Sequence, residues 1–180
     1  MLEYHNILIV EIPRTGTDTI RRLVGELSVV DVNRHISISE YFKTHFDGLS
    51  KVSFVRNPFD RIASLYEHTK HFHPNEPELK NFESFVDWYV DKNARQITRD
   101  DIRKTQFEML SINGKLAMDY IGRFETFNED LSKIFSEKIS APITNKYKYK
   151  DYREYYNDTT KQIIAEYVKD DLKHFNYSFE

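Results

Sequence analysis

The 180-residue chain contains no cysteine. Its absence excludes disulfides and thiolate metal sites and fits a reducing cytosol, the expected location. Long apolar runs are missing too. The opening MLEYHNILIV has no basic flank and is too short a hydrophobic stretch for a signal peptide or a membrane span, so neither is expected. Nor is there an excess of charge of one sign: 26 basic residues stand against 29 acidic ones, a net charge of −3. General attraction to nucleic acid or anionic lipid is therefore not expected, and any anion binding must be local. No repeat or low-complexity tract interrupts the chain.

What is present is a chain 39% hydrophobic and 14% aromatic. A chain this long buries roughly 70% of the surface it exposes when unfolded, enough for one compact domain over residues 1–180 without staples. Ile7 to Val10 is a continuous apolar run, the pattern of a strand covered on both faces, and Ile20, Leu23, Val24 and Leu27 follow at helical spacing. Val29 to Val32 reads as a second strand, and Ser39 as the cap of a short helix carrying Tyr41 and Phe42. Val52 to Val55 is the next buried strand. Asn57 is placed to cap a helix with Pro58 at its first position, and Ile62, Leu65, Tyr66 and Thr69 form one face of that helix. Residues 71–81, with two prolines, read as a loop.

Phe85, Val86, Tyr89 and Val90 mark another helix, in which Trp88 and Tyr89 read as core, and a further helix is expected between Arg99 and Ser111. Asn113-Gly114 signals a turn, Tyr120 to Phe124 a strand, and Thr126 with Glu129 has capping-box spacing. Residues 145–158 read as a surface loop, and Ile163, Ile164, Tyr167, Val168 and Leu172 as one closing helix. Strands alternating with helices predict a single α/β domain with a mainly parallel sheet flanked by helices.

Two stretches carry chemistry: ILIVEIPRTGTDTI (Ile7 to Ile20) and VSFVRNPFDRIASLY (Val52 to Tyr66). Each reads as a buried strand, a tight turn and a helix start, with an arginine at the turn, Arg14 and Arg56 respectively. A helix start offers unpaired N–H groups and the positive end of a dipole, a natural seat for phosphate. Two such seats on one sheet suit a ligand with two separated anionic groups. The first turn is not a Walker A loop, since it lacks the Gly-Lys-Ser/Thr ending, and no acid for magnesium is evident; a metal-dependent phosphotransferase is disfavoured. It keeps Gly16, which lets backbone approach a ligand, and the hydroxyls of Thr15, Thr17 and Thr19. Arg56 ends its strand and Ser64 sits two helical turns further on. The plainer alternatives are an ordinary turn with a surface Arg14, and an Arg56 paired with Asp60 beside a Ser64 that merely packs.

On these residues the chain resembles sulfotransferases of the group that includes carbohydrate 2-O-sulfotransferases and small bacterial relatives. The resemblance implies a P-loop-like sulfotransferase fold. It also implies 3′-phosphoadenosine 5′-phosphosulfate (PAPS) as co-substrate, with no metal. Pro13 to Thr19 is similar to the family's 5′-phosphosulfate signature, Pro-Lys-Thr-Gly-Gly-Thr-Ser, and Phe54 to Ser64 matches its 3′-phosphate signature without departure. Weaker likeness continues at Gln106, over Ile121 to Leu131, and from Tyr152 to Phe179.

By this resemblance Arg14 neutralises the leaving group, and Thr15, Gly16, Thr17, Asp18 and Thr19 cradle the 5′ end. Arg56 and Ser64 hold the 3′-phosphate. His35 resembles the catalytic base, its imidazole suiting proton removal from a hydroxyl; the alternative is a loop histidine without a role. The implied acceptor is a hydroxyl, on a carbohydrate or glycoconjugate. Two departures stand out: Arg14 replaces the family's lysine, and Asp18 places a carboxylate where the family has a neutral hydroxyl residue. They favour the rival of a non-catalytic module that binds an adenosine bisphosphate or a partner.

His68, His71 and His73 have no carboxylate or cysteine to complete a metal set. Lys146, Lys148 and Lys150, alternating with Tyr147 and Tyr149, form too short a patch for nucleic acid; by resemblance that loop closes over the nucleotide. Oligomeric state is not readable from the sequence.

Overall fold

The computed structural model describes residues 1–4, 6–24, 35–41, 48–98, 102–136, 138–140 and 150–180. In chain order the elements are β1 (Leu2–Tyr4), β2 (Ile7–Val10), α1 (Thr17–Val24), α2 (Ile38–Tyr41), β3 (Ser50–Val55), α3 (Pro58–Phe72), α4 (Phe82–Val90) and α5 (Gln106–Leu110). Then come β4 (Ser111–Ile112), β5 (Lys115–Leu116), β6 (Tyr120–Arg123), α6 (Phe127–Phe135), α7 (Asp158–Tyr167) and α8 (Lys169–Phe175), with 3₁₀ turns at Pro77–Leu79 and Tyr152–Tyr155. The chain forms two compact units, Met1–Arg56 with Gln106–Lys146, and Asn57–Thr105 with Tyr147–Glu180. No helix among the described residues is long and apolar enough to cross a membrane.

The first unit is built on a sheet of order β1-β2-β3-β6. β2, β3 and β6 run parallel, and β1 folds back antiparallel against β2, so the sheet is mainly parallel as expected. Side chains alternate between the two faces of a strand. Ile9, Val52 and Phe54 meet Ile20 and Val24 of α1 and Phe127 and Leu131 of α6 on one face. Leu8, Val10, Ser53 and Val55 turn to the other face and are buried as well. Burial on both sides is why β2 is an unbroken apolar run and why Val52 to Val55 of β3 is apolar but for Ser53. Gly122 on β6 is required by close approach, since a Cβ there would stand 2.7 Å from the Phe54 ring.

The second unit packs α3, α4 and α7 around an aromatic core. Tyr66, Phe82, Phe85 and Tyr155 stack at centroid distances of 5.3 to 6.0 Å, tilted or edge to face. Trp88 and Tyr89 are core, as expected, and so are Ile62, Leu65, Tyr66 and Thr69 of α3. Asn57 caps α3, its side chain accepting from the Phe59 N–H, with Pro58 at the first turn.

Several expectations are corrected. β1 was not legible, because MLEYHN alternates too briefly to signal a strand. The cap of α2 is Ser37 rather than Ser39: the Glu40 carboxylate accepts from the Ser37 N–H (2.8 Å) and the Ser37 hydroxyl accepts from the Glu40 N–H (3.3 Å). Leu23, placed on the apolar face of α1, is 43% exposed. α3 extends through Phe72, and a 3₁₀ turn occupies part of the expected 71–81 loop. A helix does lie between Arg99 and Ser111 as expected, over Gln106–Leu110. Another 3₁₀ turn lies within the expected 145–158 loop. The closing helix is two helices meeting at Val168. The candidate strand Val29 to Val32, together with Leu27, Phe42, Lys146, Tyr147, Lys148 and Tyr149, lies outside the described residues. Asn113-Gly114 is a turn as expected, left-handed at both positions and joining β4 to β5.

Thr126 does not form the expected box with Glu129. Its hydroxyl donates instead to Asp130 Oδ2 (2.7 Å), a carboxylate that also accepts from the Arg123 N–H (2.9 Å), the Tyr120 hydroxyl (2.7 Å) and Lys133 Nζ (2.8 Å). Burial alone would raise the Asp130 carboxyl, but these donors outweigh it and hold the group well below the usual carboxylate range. A depressed folded-state value adds stability that is present above the unfolded value and lost as pH falls through the folded one. Asp130→Asn is therefore expected to lower unfolding free energy by about 2 kcal/mol near neutrality. Urea titrations should show that gap narrowing below about pH 4, and a gap independent of pH would contradict the account.

Candidate functional site

The site grows from the carboxyl ends of β2 and β3. Beyond β2 the chain runs through Glu11, Ile12 and Pro13 into a turn with left-handed backbone at Arg14 (φ 70°) and Gly16 (φ 90°). Arginine in that region carries a steric cost that glycine escapes. A Cβ on Gly16 would lie 2.5 Å from the Phe127 ring, so the sharp entry into α1 also depends on having no side chain there. The Thr19 and Ile20 N–H groups both close onto the Gly16 carbonyl (3.0 and 3.2 Å). Thr15, Thr17 and Thr19 are buried. The Thr15 hydroxyl donates its proton to the Ile12 carbonyl (2.9 Å), so its hydroxyl braces the turn rather than supplying a donor to a ligand. Asp18 lies in the first turn of α1, where a carboxylate is favoured by the helix dipole.

An ion pair spans this turn. Glu11, 1% exposed, receives a fork from Arg21 on α1, Nε to Oε1 at 2.6 Å and Nη2 to Oε2 at 2.5 Å. Two parallel charge-assisted bonds tie the end of β2 to the second turn of the helix that follows.

Arg56, immediately after β3, is buried at 6% exposure and sits beside the first turn. Its Nη1 donates to the Arg14 carbonyl (3.2 Å), and its guanidinium lies 4.4 Å from the centroid of the Phe124 ring. The two arginine turns are thus one locality, as the sequence implied. The Arg56 main chain is held by the Gln106 side chain.

His35 belongs to the same unit. Its Nδ1 lies 2.9 Å from the Glu11 carbonyl oxygen, three residues before Arg14. A carbonyl only accepts, so this bond puts the proton on Nδ1 and makes Nε2 the ring nitrogen without one. Ser64 is buried in α3 and belongs to the second unit. Of the other histidines, His68 and His71 each lie against Phe72, with ring centroids 4.9 Å apart. Among the described residues no group of three or more histidine, aspartate or glutamate side chains is placed to hold a metal.

Glu11 and Phe124 were missed as site residues. Glu11 breaks the apolar run just where β2 meets the turn, which was the available signal. In the sequence Phe124 reads only as the end of a strand.

The sheet and its adjoining basic turns define an α/β fold suited to anionic ligands. A model of the sulfotransferase family matches residues 2–178, and the chain belongs to that family. Membership supports sulfuryl transfer as the general chemistry, from a sulfate donor to a hydroxyl acceptor. The chain is also similar to a protein of Archaeoglobus fulgidus described as an uncharacterized protein, 34% identical over 103 residues, covering 56% of this chain and 75% of the relative. No solved structure matches it.

Gly16→Ala tests whether the Phe127 contact and the left-handed turn fix the loop. Both strain and overlap oppose the methyl group, so a loss of about 2–4 kcal/mol is expected by chemical denaturation; a neutral effect would show that the turn has room to relax.

Proposed function

We propose that this protein transfers a sulfuryl group from PAPS to a hydroxyl, with a carbohydrate or glycoconjugate as acceptor, in a reducing cytoplasm. The observation that carries the proposal is the bond from Arg56 to the Arg14 carbonyl, which makes the two cationic turns neighbours within one unit. A nucleotide with phosphates on its 3′ and 5′ oxygens has two charges to satisfy, and the pair supplies a cation for each. The carbohydrate acceptor comes from the overall resemblance to the group that includes carbohydrate 2-O-sulfotransferases.

Bound PAPS supplies an activated sulfuryl group, whose bond to the 5′-phosphate oxygen breaks as the bond to the acceptor oxygen forms. Arg14 neutralises the charge left on that phosphate, and the turn from Thr15 to Thr19 cradles the same end. Asp18 stands in the first turn of its own helix, where its charge is favoured. Arg56 holds the 3′-phosphate. His35 Nε2 takes the proton from the acceptor hydroxyl, and the Nδ1 bond to Glu11 steadies the imidazolium that results. Positioning and fixed charge do most of the work, without a metal.

A ligand that binds only the native state raises its melting temperature. 3′,5′-Adenosine bisphosphate is expected to do so and ATP with magnesium to do so less; the reverse order would favour a phosphotransferase. Arg56→Ala is expected to weaken bisphosphate binding by about 2 kcal/mol or more, since a charge-assisted contact is lost. His35→Ala is expected to abolish transfer of labelled sulfate while leaving nucleotide affinity intact, and retained turnover would dismiss it as the base. The rival reading, a non-catalytic binding module, draws on Asp18 and is distinguished by bisphosphate binding without any labelled transfer in the wild-type protein.

A further inference from the structure

We propose that Gln106 is a positioning residue for Arg56, acting as a one-residue stand-in for a missing strand. The inference rests on the assignment of Arg56 to the 3′-phosphate and adds what holds that arginine in place.

An extended chain turns the amide groups of successive residues to opposite sides. The Val55 carbonyl accepts from the Phe124 N–H (2.8 Å), on the β6 side. The N–H and carbonyl of Arg56 therefore face the β2 side. β2, however, ends at Val10 and has turned away through Pro13, a residue with no N–H to give. Left alone, the residue just after β3 would carry two buried main-chain groups without a ladder partner, at a cost comparable to a lost hydrogen bond for each.

Gln106, the first residue of α5 and fully buried, fills this gap. Its Oε1 accepts from the Arg56 N–H (2.9 Å) and its Nε2 donates to the Arg56 carbonyl (2.9 Å). Only a side-chain amide presents a donor and an acceptor side by side as a peptide unit does. Glutamate would keep the acceptor and lose the donor, and leucine would lose both. With the main chain clamped by Gln106, the guanidinium resting over Phe124 and its Nη1 on the Arg14 carbonyl, Arg56 is fixed at both ends. The cation is then in place before an anion arrives, so little side-chain entropy is lost on binding.

The test separates positioning from general loss of stability. Calorimetric titration of wild type, Gln106→Glu and Gln106→Leu is carried out with 3′,5′-adenosine bisphosphate and with 5′-adenosine monophosphate, which lacks only the 3′-phosphate. The wild type is expected to prefer the bisphosphate. Each variant is expected to lose about tenfold or more in affinity for the bisphosphate, and about twofold or less for the monophosphate. Equal losses on both nucleotides, or none on either, would overturn the role of Gln106. A wild type that binds the two alike would overturn the assignment of Arg56, and this proposal with it. Should the variants fail to fold, amide hydrogen exchange on the wild type decides: the Arg56 N–H is expected to be among the protected amides, and fast exchange there rejects the clamp.

Discussion

The parallel ladder between β2 and β3, with Val10 opposite Ser53, is the constraint on which the site depends. Parallel neighbours end at the same edge of a sheet, and a ligand seat formed where one strand gives way to a helix then lies beside the next. An antiparallel pairing would have sent Arg14 and Arg56 to opposite edges. The register matters as much as the direction. It brings the guanidinium of Arg56 level with the carbonyl of Arg14, and the Ser53 hydroxyl reinforces it by donating to the Val10 carbonyl (2.8 Å) across the two strands.

Under the turn lies an aromatic floor. Phe127 packs against Phe54 with centroids 4.8 Å apart and fills the space that any side chain at position 16 would need. Phe124, next to it, carries the guanidinium of Arg56. The same short segment of β6 and α6 thus shapes the first turn from below and supports the second from the side. Asp130 anchors that segment by gathering donors from Tyr120, Arg123, Thr126 and Lys133. Core packing and site geometry are not separable here, because the residues that close the hydrophobic core also set where the cations stand.

Much of this was legible in the chain. β2 and the end of β3 are buried on both faces and announce themselves by apolar residues, broken in β3 only at Ser53, and Asn57-Pro58 signals a helix start through local backbone chemistry alone. The arginines were legible for the same reason: each stands where such a run ends. What escaped was set by partners distant in sequence. β1 is too short to carry a pattern and exists because β2 offers it an edge. Ser37 rather than Ser39 caps α2 because Glu40, not a periodicity, decides where the helix begins. Thr126 turns from its own helix end to Asp130, a buried carboxylate that also draws donors from Tyr120, Arg123 and Lys133. Gln106 could be noticed as a likeness, but nothing local explains it; its meaning is a strand end fifty residues earlier.

The fork between Glu11 and Arg21 bears on how fast the protein can respond to a ligand. A loop braced at both ends surrenders its freedom when the chain folds, so an incoming anion meets a rigid receptor and need not wait for a rearrangement. Encounter, steered by a small positive field on an otherwise balanced surface, then becomes the slow event of capture, and raising the ionic strength slows association more than it speeds release.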